Sequence, residues 1–257
     1  MKTVILAGGR GTRISEESGL KPKPMIEIGG MPILWHIMKH YSSFGHNDFI
    51  ICCGYKGYMI KEYFANYYLH RSDITFDFTS ENKMHVHCNV AEPWKVTLVD
   101  TGIETMTGGR IKRVEKYIKG ERFMLTYGDG LSDVDLNKML KFHEESGKTV
   151  TLTTVRPAAR FGYVEPENGG KNAKFVEKGI QQAGWINGGF MAAEPEIFKY
   201  LKDDTTVFEK NVLEKLGAEN KLAAFRHEGF WQSMDTLRDK ILLDGLIERG
   251  KAPWVKW

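Results

Sequence analysis

The sequence lacks the long apolar segments that mark membrane and secreted proteins. None of its apolar runs approaches the roughly 20 residues of a membrane-spanning helix. The N-terminal run Val4–Ala7 stops at a glycine pair, too early for the apolar region of a secretory signal. We therefore expect a cytoplasmic protein that does not enter a membrane.

The sequence also lacks an excess of charge of one sign. Its 36 basic and 33 acidic residues are interspersed and give a formal net charge of +3. A nucleic-acid-binding or membrane-surface protein would concentrate basic residues in a patch or a run. With 257 residues, 42% of them apolar, the chain can bury a substantial core. We expect a globular protein whose partners are small molecules.

Cysteine is scarce, since the chain has three, without the spacing of metal ligands. Cys52 and Cys53 lie in "FIICCGY", which predicts a buried strand in which cysteine acts as a small apolar residue. His85 and His87 alternate in "KMHVHC" on one face of a predicted strand. A metal pair is conceivable there, but two half-exposed strand histidines are the favoured interpretation.

Short apolar strands alternate with amphipathic helices through the first half of the chain. The strands end near residues 7, 53, 100, 127 and 155, and a helical pattern follows each of the first four. This alternation predicts an α/β fold with a doubly wound, mostly parallel, Rossmann-like sheet. Beyond residue 156 the strands shorten, which indicates a small mixed acceptor-binding region. We expect one domain over 1–257, with a nucleotide-binding half at about 1–155 and an acceptor half at about 156–257.

The stretch "LAGGRGTR", Leu6 to Arg13, follows the first strand and is rich in glycine. Such a loop lets backbone N–H groups approach an anion, and an arginine adds a fork of donors suited to phosphate. It has neither the Gly-Lys-Ser/Thr ending of a P-loop nor the spacing of a dinucleotide fingerprint. The alternative is a tight glycine turn with an exposed arginine.

Three isolated charged residues complete the candidate site. Lys23 lies between two prolines in "KPKPM", which stiffen the backbone that presents its ammonium. Asp129 ends an apolar strand in "LTYGDG", and Asp235 lies in "WQSMDT" before the last helix. Two carboxylates plus substrate phosphates are a usual arrangement for Mg²⁺. The alternatives are a basic surface loop for Lys23, a turn for Asp129 and a helix N-cap for Asp235.

The motifs "VILAGGRGTR", "KPKPM", "YGDG" and "NGGF", in this order and spacing, resemble the sugar-phosphate nucleotidyltransferase family. Longer stretches, including "TMTGGRIKRV" and "GFWQSMDTLRDK", are similar to its cytidylyl branch. The resemblance covers the whole chain and implies Mg²⁺-assisted transfer of CMP from CTP to α-D-glucose 1-phosphate. The products would be pyrophosphate and CDP-glucose, a precursor of surface-polysaccharide deoxysugars. It also implies a homo-oligomer, with a hexamer as the candidate assembly and contacts near 70–95 and the C-terminal tail.

The resemblance further implies roles for particular residues. Arg13, Lys23 and Asp129 would be catalytic, and Asp129 and Asp235 would hold Mg²⁺. Arg110 would face the cytosine edge, where N3 is an acceptor in cytosine and a donor in uracil. The nucleotide would contact Leu6, Ala7, Gly8, Gly9, Arg10, Gly11, Thr12, Arg13, Lys23, Thr105, Arg110 and Gly128. The sugar phosphate would contact Glu177, Lys178, Asn187 and Gly188.

Two of these assignments leave alternatives open. Gly179 follows Glu177-Lys178 where the family has a proline, so the loop is expected to be less rigid. Asn187-Gly188 taken alone predicts a hairpin turn rather than a sugar site.

Three rival functions remain open. The chain could be a sibling transferase for UTP, dTTP or another sugar phosphate, or a non-catalytic nucleotide-sugar sensor on the same fold. The presence of Arg13, Lys23, Asp129 and Asp235 argues against a silent sensor. A dinucleotide oxidoreductase is disfavoured, because a basic loop rather than a ribose-binding acid follows the glycines.

Overall fold

A seven-stranded sheet forms the centre of the structure, a computed structural model that describes residues 1–14, 19–79, 83–157, 163–167, 172–176 and 184–257. The strand order is β14-β10-β13-β8-β1-β4-β7. The strands are β1 Lys2–Leu6, β2 Glu27–Ile28, β3 Met31–Pro32, β4 Asp48–Cys53, β5 Ser72–Asp77, β6 Lys83–Asn89, β7 Lys95–Asp100, β8 Phe123–Tyr127, β9 Gly130–Ser132, β10 Val150–Val155, β11 Tyr163–Glu167, β12 Asn172–Val176, β13 Ile186–Ala193, β14 Leu222–Arg226 and β15 Trp231–Ser233.

Helices cover the sheet between these strands. The α-helices are α1 Ile33–Ser42, α2 Gly57–Ala65, α3 Tyr67–His70, α4 Thr107–Arg113, α5 Glu115–Ile118, α6 Leu136–Ser146, α7 Glu214–Ala218 and α8 Leu237–Glu248. Short 3₁₀ turns span Thr12–Ile14, Lys23–Met25 and Pro195–Tyr200, and a π-helix spans Phe208–Leu213.

The period of two along the central strands builds one core on each face of the sheet. Val4 and Leu6 of β1 pack with Ile111 and Phe208 on one face. Ile5, from the same strand, packs on the other face in a cluster that contains α1, Leu243 of α8 and Trp254. Because both faces of β1 are covered, the strand is a nearly continuous apolar run, as expected of a parallel strand in an α/β sheet.

The predicted α/β fold is confirmed, with one antiparallel strand inside the main sheet. β1 pairs in parallel with β4 and β8, β4 with β7, and β10 with β14. β13 lies between β8 and β10 and is antiparallel to both. The sheet therefore continues past residue 155, since β13 and β14 belong to it.

The prediction for the cysteine pair is also confirmed. Cys52 and Cys53 are buried in β4, and burial raises the pKa of Cys53 to about 11. His85 and His87 lie exposed on β6, and the described ranges contain no group of three or more side chains placed to hold a metal ion. Nor does any helix in those ranges have the length and apolar character that a bilayer crossing requires.

Candidate active site

A cavity of about 710 Å³ opens where β1 and β8 end. The carboxyl ends of parallel strands are where open α/β sheets bind ligands. Two acceptor-half residues, Asn187 and Glu209, reach the same cavity. The expected nucleotide-binding residues in its lining are Leu6, Ala7, Gly8, Gly9, Arg10, Gly11, Thr12, Lys23, Thr105, Arg110 and Gly128. The side chain of Arg13 and the whole of Glu177 and Lys178 lie outside the described residues.

The glycine loop lies directly on a buried arginine. A Cβ atom at Gly8 would be 2.2 Å from Nη1 of Arg110 and 2.5 Å from its Cζ, so only glycine fits there. Nη1 donates to Thr101 Oγ1 at 2.7 Å and to the Gly102 carbonyl at 2.6 Å, and Nη2 donates to the Ile103 carbonyl at 3.1 Å. Burial lowers the pKa of Arg110. This arginine therefore supports the cavity floor by tying the loop at 101–103 beneath the glycines.

These bonds bear on the expected role of Arg110 at the cytosine edge. Three backbone or hydroxyl oxygens take the donors of Nη1, including the carbonyl of Cys53 at 3.3 Å. The guanidinium lines the cavity with its remaining donors, on Nε and Nη2. Contact with the base stays a prediction.

An ammonium group holds two carboxylates together at the floor of the cavity. Lys23 Nζ lies 2.6 Å from Asp129 Oδ2 and 2.8 Å from Asp235 Oδ1, and the lysine is only 7% exposed. The two carboxylate oxygens are thus at most about 5.4 Å apart, the sum of those distances. One cation and two anions leave a net negative charge at this point. Ion pairs this well enclosed are screened by water much less than surface pairs.

Strand pairing brings the two acids together although 106 residues separate them in the chain. Asp129 follows β8, and Asp235 follows β15, which pairs with β9 so that Ser233 lies opposite Gly130. The N–H of Met234 donates to the Asp129 carbonyl at 2.9 Å, and Ser233 Oγ donates to Asp235 Oδ2 at 3.1 Å. The short 3₁₀ turn after Pro22 then presents Lys23 between them.

Asp235 is not the N-cap of the last helix, and that alternative is wrong. Thr236 is the N-cap, and its hydroxyl oxygen accepts from the N–H of Asp239. The Asp239 carboxylate accepts from the N–H of Thr236 at 2.8 Å, which completes a capping box. Because capping is performed by Thr236 and Asp239, the carboxylate of Asp235 can face the cavity.

The donor set fits a divalent cation. Lys23 already places one positive charge between Asp129 and Asp235, so the position favours cations. Two carboxylates are too few for an all-protein cage, but Mg²⁺ is commonly held by one or two carboxylates together with substrate phosphates and water. Asp129 and Asp235 are the residues that would hold it.

Asn187 enters the cavity from inside a strand, so the predicted hairpin turn is wrong. Residues 187–189 belong to β13, where the register against β10 shifts between Leu152 and Thr154. Gly189 has φ +83°, which marks the bulge. Gly188 lies at this bulge, and its carbonyl accepts from Trp231 Nε1 at 2.7 Å. A bulge depends on pairing with a distant strand, and a local Asn-Gly signal cannot report it.

Sequence reasoning missed several residues of the cavity wall. Tyr127 lies directly before Gly128-Asp129 in "YGDG", so its position was visible although its role was not. Glu209 and Thr107 carry no local signal, because they meet only across the fold, where Thr107 Oγ1 donates to Glu209 Oε2 at 2.7 Å. Arg10 pairs with Glu104 on the rim, where both side chains are more than half exposed, and contributes little to stability there.

A nucleotidyl transferase family model matches residues 2–239. The chain belongs to the nucleotidyl transferase family. It is 56% identical over 258 residues to a glucose-1-phosphate cytidylyltransferase of Salmonella typhi, covering 100% of both chains. It is 42% identical over 259 residues to a probable glucose-1-phosphate cytidylyltransferase of Bacillus subtilis, again over 100% of both. The structure of HddC from Yersinia pseudotuberculosis complexed with GMP-PN is similar, with TM-score 0.67, 25% identity and coverage of 96% and 99%.

The contact between Gly8 and Arg110 gives a stability prediction. Gly8→Ala should lower the free energy of unfolding by about 1–3 kcal/mol, because the new methyl group overpacks a guanidinium that its oxygen partners hold in place. Gly9→Ala is the matched control, since a Cβ there has no protein atom within 4 Å and φ is not positive. It should be neutral or slightly stabilising. Urea titrations measure both, and an equal loss in the two variants would contradict the packing argument.

Proposed function

We propose that this nucleotidyl transferase moves CMP from CTP to α-D-glucose 1-phosphate, giving CDP-glucose and pyrophosphate. The observation that carries the proposal is the ammonium of Lys23 between Asp129 and Asp235, at the floor of one cavity with a glycine loop at one end and Asn187 at the other. The names of the Salmonella and Bacillus relatives supply the base and the sugar.

The reaction needs alignment and charge neutralisation rather than a protein nucleophile. An oxygen of the sugar phosphate forms a bond to the α-phosphorus of CTP, and the bond to the bridging oxygen of the β-phosphate breaks. Pyrophosphate leaves in line with that electron pair, and no proton has to be moved. Such transfers are accelerated by positioning and by electrostatic stabilisation of the charged oxygens. The chain supplies both from the backbone of the glycine loop and from Lys23.

The individual roles follow from position. The backbone of Gly8, Gly9 and Gly11 can approach the triphosphate, and Arg13 would pair with its phosphates. Lys23, braced by prolines on both sides, would neutralise charge at the α-phosphoryl group. Asn187 and Gly188 would contact the acceptor sugar, with Glu177 and Lys178 completing that end.

We propose Mg²⁺ as the cofactor, held by Asp129 and Asp235. When bound, it would neutralise negative charge on the phosphates. The net negative charge of the Lys23–Asp129–Asp235 cluster supports this choice. We further propose that the reaction takes place in the cytoplasm, where nucleoside triphosphates and sugar phosphates are made.

Pyrophosphate release tests the proposal. With glucose 1-phosphate as acceptor, kcat/KM for CTP should exceed that for UTP, dTTP and ATP by at least roughly tenfold, because a site built to bond one base edge leaves groups unpaired with another. A strong preference for another triphosphate would overturn the base assignment. Release from none of the four would favour the non-catalytic sensor.

Asp129→Asn should lower turnover by at least roughly 100-fold, because it removes one of two carboxylates from the proposed metal site. The circular dichroism spectrum should stay unchanged. CTP titrations by calorimetry should lose the gain in affinity that Mg²⁺ gives the unaltered protein. Asp135→Asn is the control, since Asp135 caps α6 and asparagine caps equally well. An Asp129→Asn variant with normal turnover and normal Mg²⁺ dependence would remove Asp129 from the metal site.

We propose a homo-oligomer that uses the ribbon of β5 and β6 as a contact. Each residue of β6 is exposed, and Phe76 and Phe78 are 53% and 79% exposed with stacked rings 6.2 Å apart. A two-stranded ribbon is marginally stable alone in water, so an apolar partner surface would stabilise it. The C-terminal tail contributes less exposed surface, because Trp254 is fully buried against Phe230.

Phe76→Glu combined with Phe78→Glu should reduce the mass measured by light scattering to that of a smaller assembly. The charges would be buried without partners in the contact. Ile241→Glu, on the exposed face of α8, introduces the same charge at a 63% exposed position and should leave the mass unchanged. An unaltered mass in the double variant would exclude the ribbon as the contact.

A further inference from the structure

A chain of hydrogen bonds crosses the cavity wall from α4 to β13. Thr107 Oγ1, at the start of α4, donates to Glu209 Oε2 at 2.7 Å. The Tyr127 hydroxyl donates to Glu209 Oε1 at 2.5 Å, and Asn187 Nδ2 donates to the Tyr127 oxygen at 3.3 Å. Asn187 Oδ1 accepts from the N–H of Gly189 at 2.9 Å. The chain thus joins the nucleotide end of the cavity to its acceptor end.

Each bond in this chain has one direction. An ionised carboxylate only accepts, so both the threonine and the tyrosine must donate to Glu209. The N–H of Phe208 donates to Thr107 Oγ1 at 2.9 Å, which leaves the Thr107 proton for Glu209. Burial, followed by the charge of Glu209, raises the pKa of Tyr127, so its hydroxyl keeps its proton at neutral pH. The Tyr127 oxygen is therefore left as an acceptor facing Asn187.

These directions fix the amide of Asn187. Its oxygen meets the Gly189 N–H and its nitrogen meets the Tyr127 oxygen. Rotating the amide by 180° would set two donors against each other at Gly189 and two acceptors against each other at Tyr127. One N–H of the amide remains for a ligand in the cavity that Asn187 lines. A donor with a fixed direction selects a hydroxyl in one orientation.

The tyrosine ring keeps its place independently of its hydroxyl. Gly189 has φ +83°, and a Cβ there would be 2.6 Å from Tyr127 Cδ2, so the ring packs against the β13 bulge. Removing the oxygen alone therefore interrupts the chain without moving the ring.

We propose that Tyr127 is a positioning residue for the acceptor sugar: its hydroxyl, directed by Glu209 and Thr107, fixes the amide of Asn187 and with it the sugar hydroxyl that this amide selects. The proposal rests on the proposed function, because it takes Asn187 as a contact of the sugar phosphate. It adds three residues that the resemblance did not supply.

Tyr127→Phe tests the chain. The KM for glucose 1-phosphate should rise roughly threefold to tenfold, the effect of one hydrogen bond, while the KM for CTP stays within about a factor of two. Discrimination against galactose 1-phosphate and mannose 1-phosphate should fall, because the amide of Asn187 can then rotate. Tyr200→Phe is the matched control, since it removes a hydroxyl that bonds Glu219 and Lys221 on the surface. It should change neither KM.

A double-mutant cycle separates positioning from other roles. Tyr127→Phe should have no further effect on the KM for glucose 1-phosphate in the Asn187→Ala background, because the group it directs is gone. Additive effects, or an unchanged KM in the single variant of an active enzyme, would overturn the inference alone. An unaltered enzyme that does not turn over glucose 1-phosphate would overturn the proposed function and this inference with it.

Discussion

The contact between Lys23 and the two carboxylates is the interaction on which the site depends. Three segments far apart in the chain each contribute one buried charge, and each charge is tolerated only because the others are present. Removing one anion would leave the lysine underpaired, and removing the lysine would leave two carboxylates within about 5.4 Å. The cluster therefore fixes how the loops after β8 and β15 meet. Its residual negative charge prepares the same point for a divalent cation.

Two cations with different surroundings divide the work that one P-loop lysine performs elsewhere. Arg110 is spent on backbone oxygens and supports the glycine loop from below. Lys23 faces the cavity between carboxylates that a metal can share. The difference lies in the partners: carbonyl oxygens cannot leave Arg110 for a ligand without breaking the loop at 101–103, whereas the partners of Lys23 are themselves candidate ligands. The absence of a P-loop lysine in "LAGGRGTR" follows from this division.

The sequence predicted what depends on local periodicity and failed where distant contacts decide. β1 and β4 follow from apolar runs bounded by glycine, and the glycine loop follows from its place after β1. Asp235 was weighed as a cap because capping is a local signal, but Thr236 and Asp239 satisfy that signal better. The turn expected at Asn187-Gly188 became a strand bulge, since pairing with β10 outweighs a two-residue preference. Glu209 was invisible, because its partners Thr107 and Tyr127 lie 102 and 82 residues away.

The two ends of the cavity are built from different parts of the chain, and this bears on how specificity can change. The nucleotide end is mostly backbone: the glycine loop and the strapped loop at 101–103, whose shape depends on Gly8 and Arg110 together. Altering which base fits there requires moving backbone that is held by several bonds at once. The acceptor end is made of side chains, Asn187 foremost, whose direction is set through single hydrogen bonds from Tyr127 and Glu209. Choice of sugar is therefore open to change by single substitutions, whereas choice of base is tied to the stability of the fold.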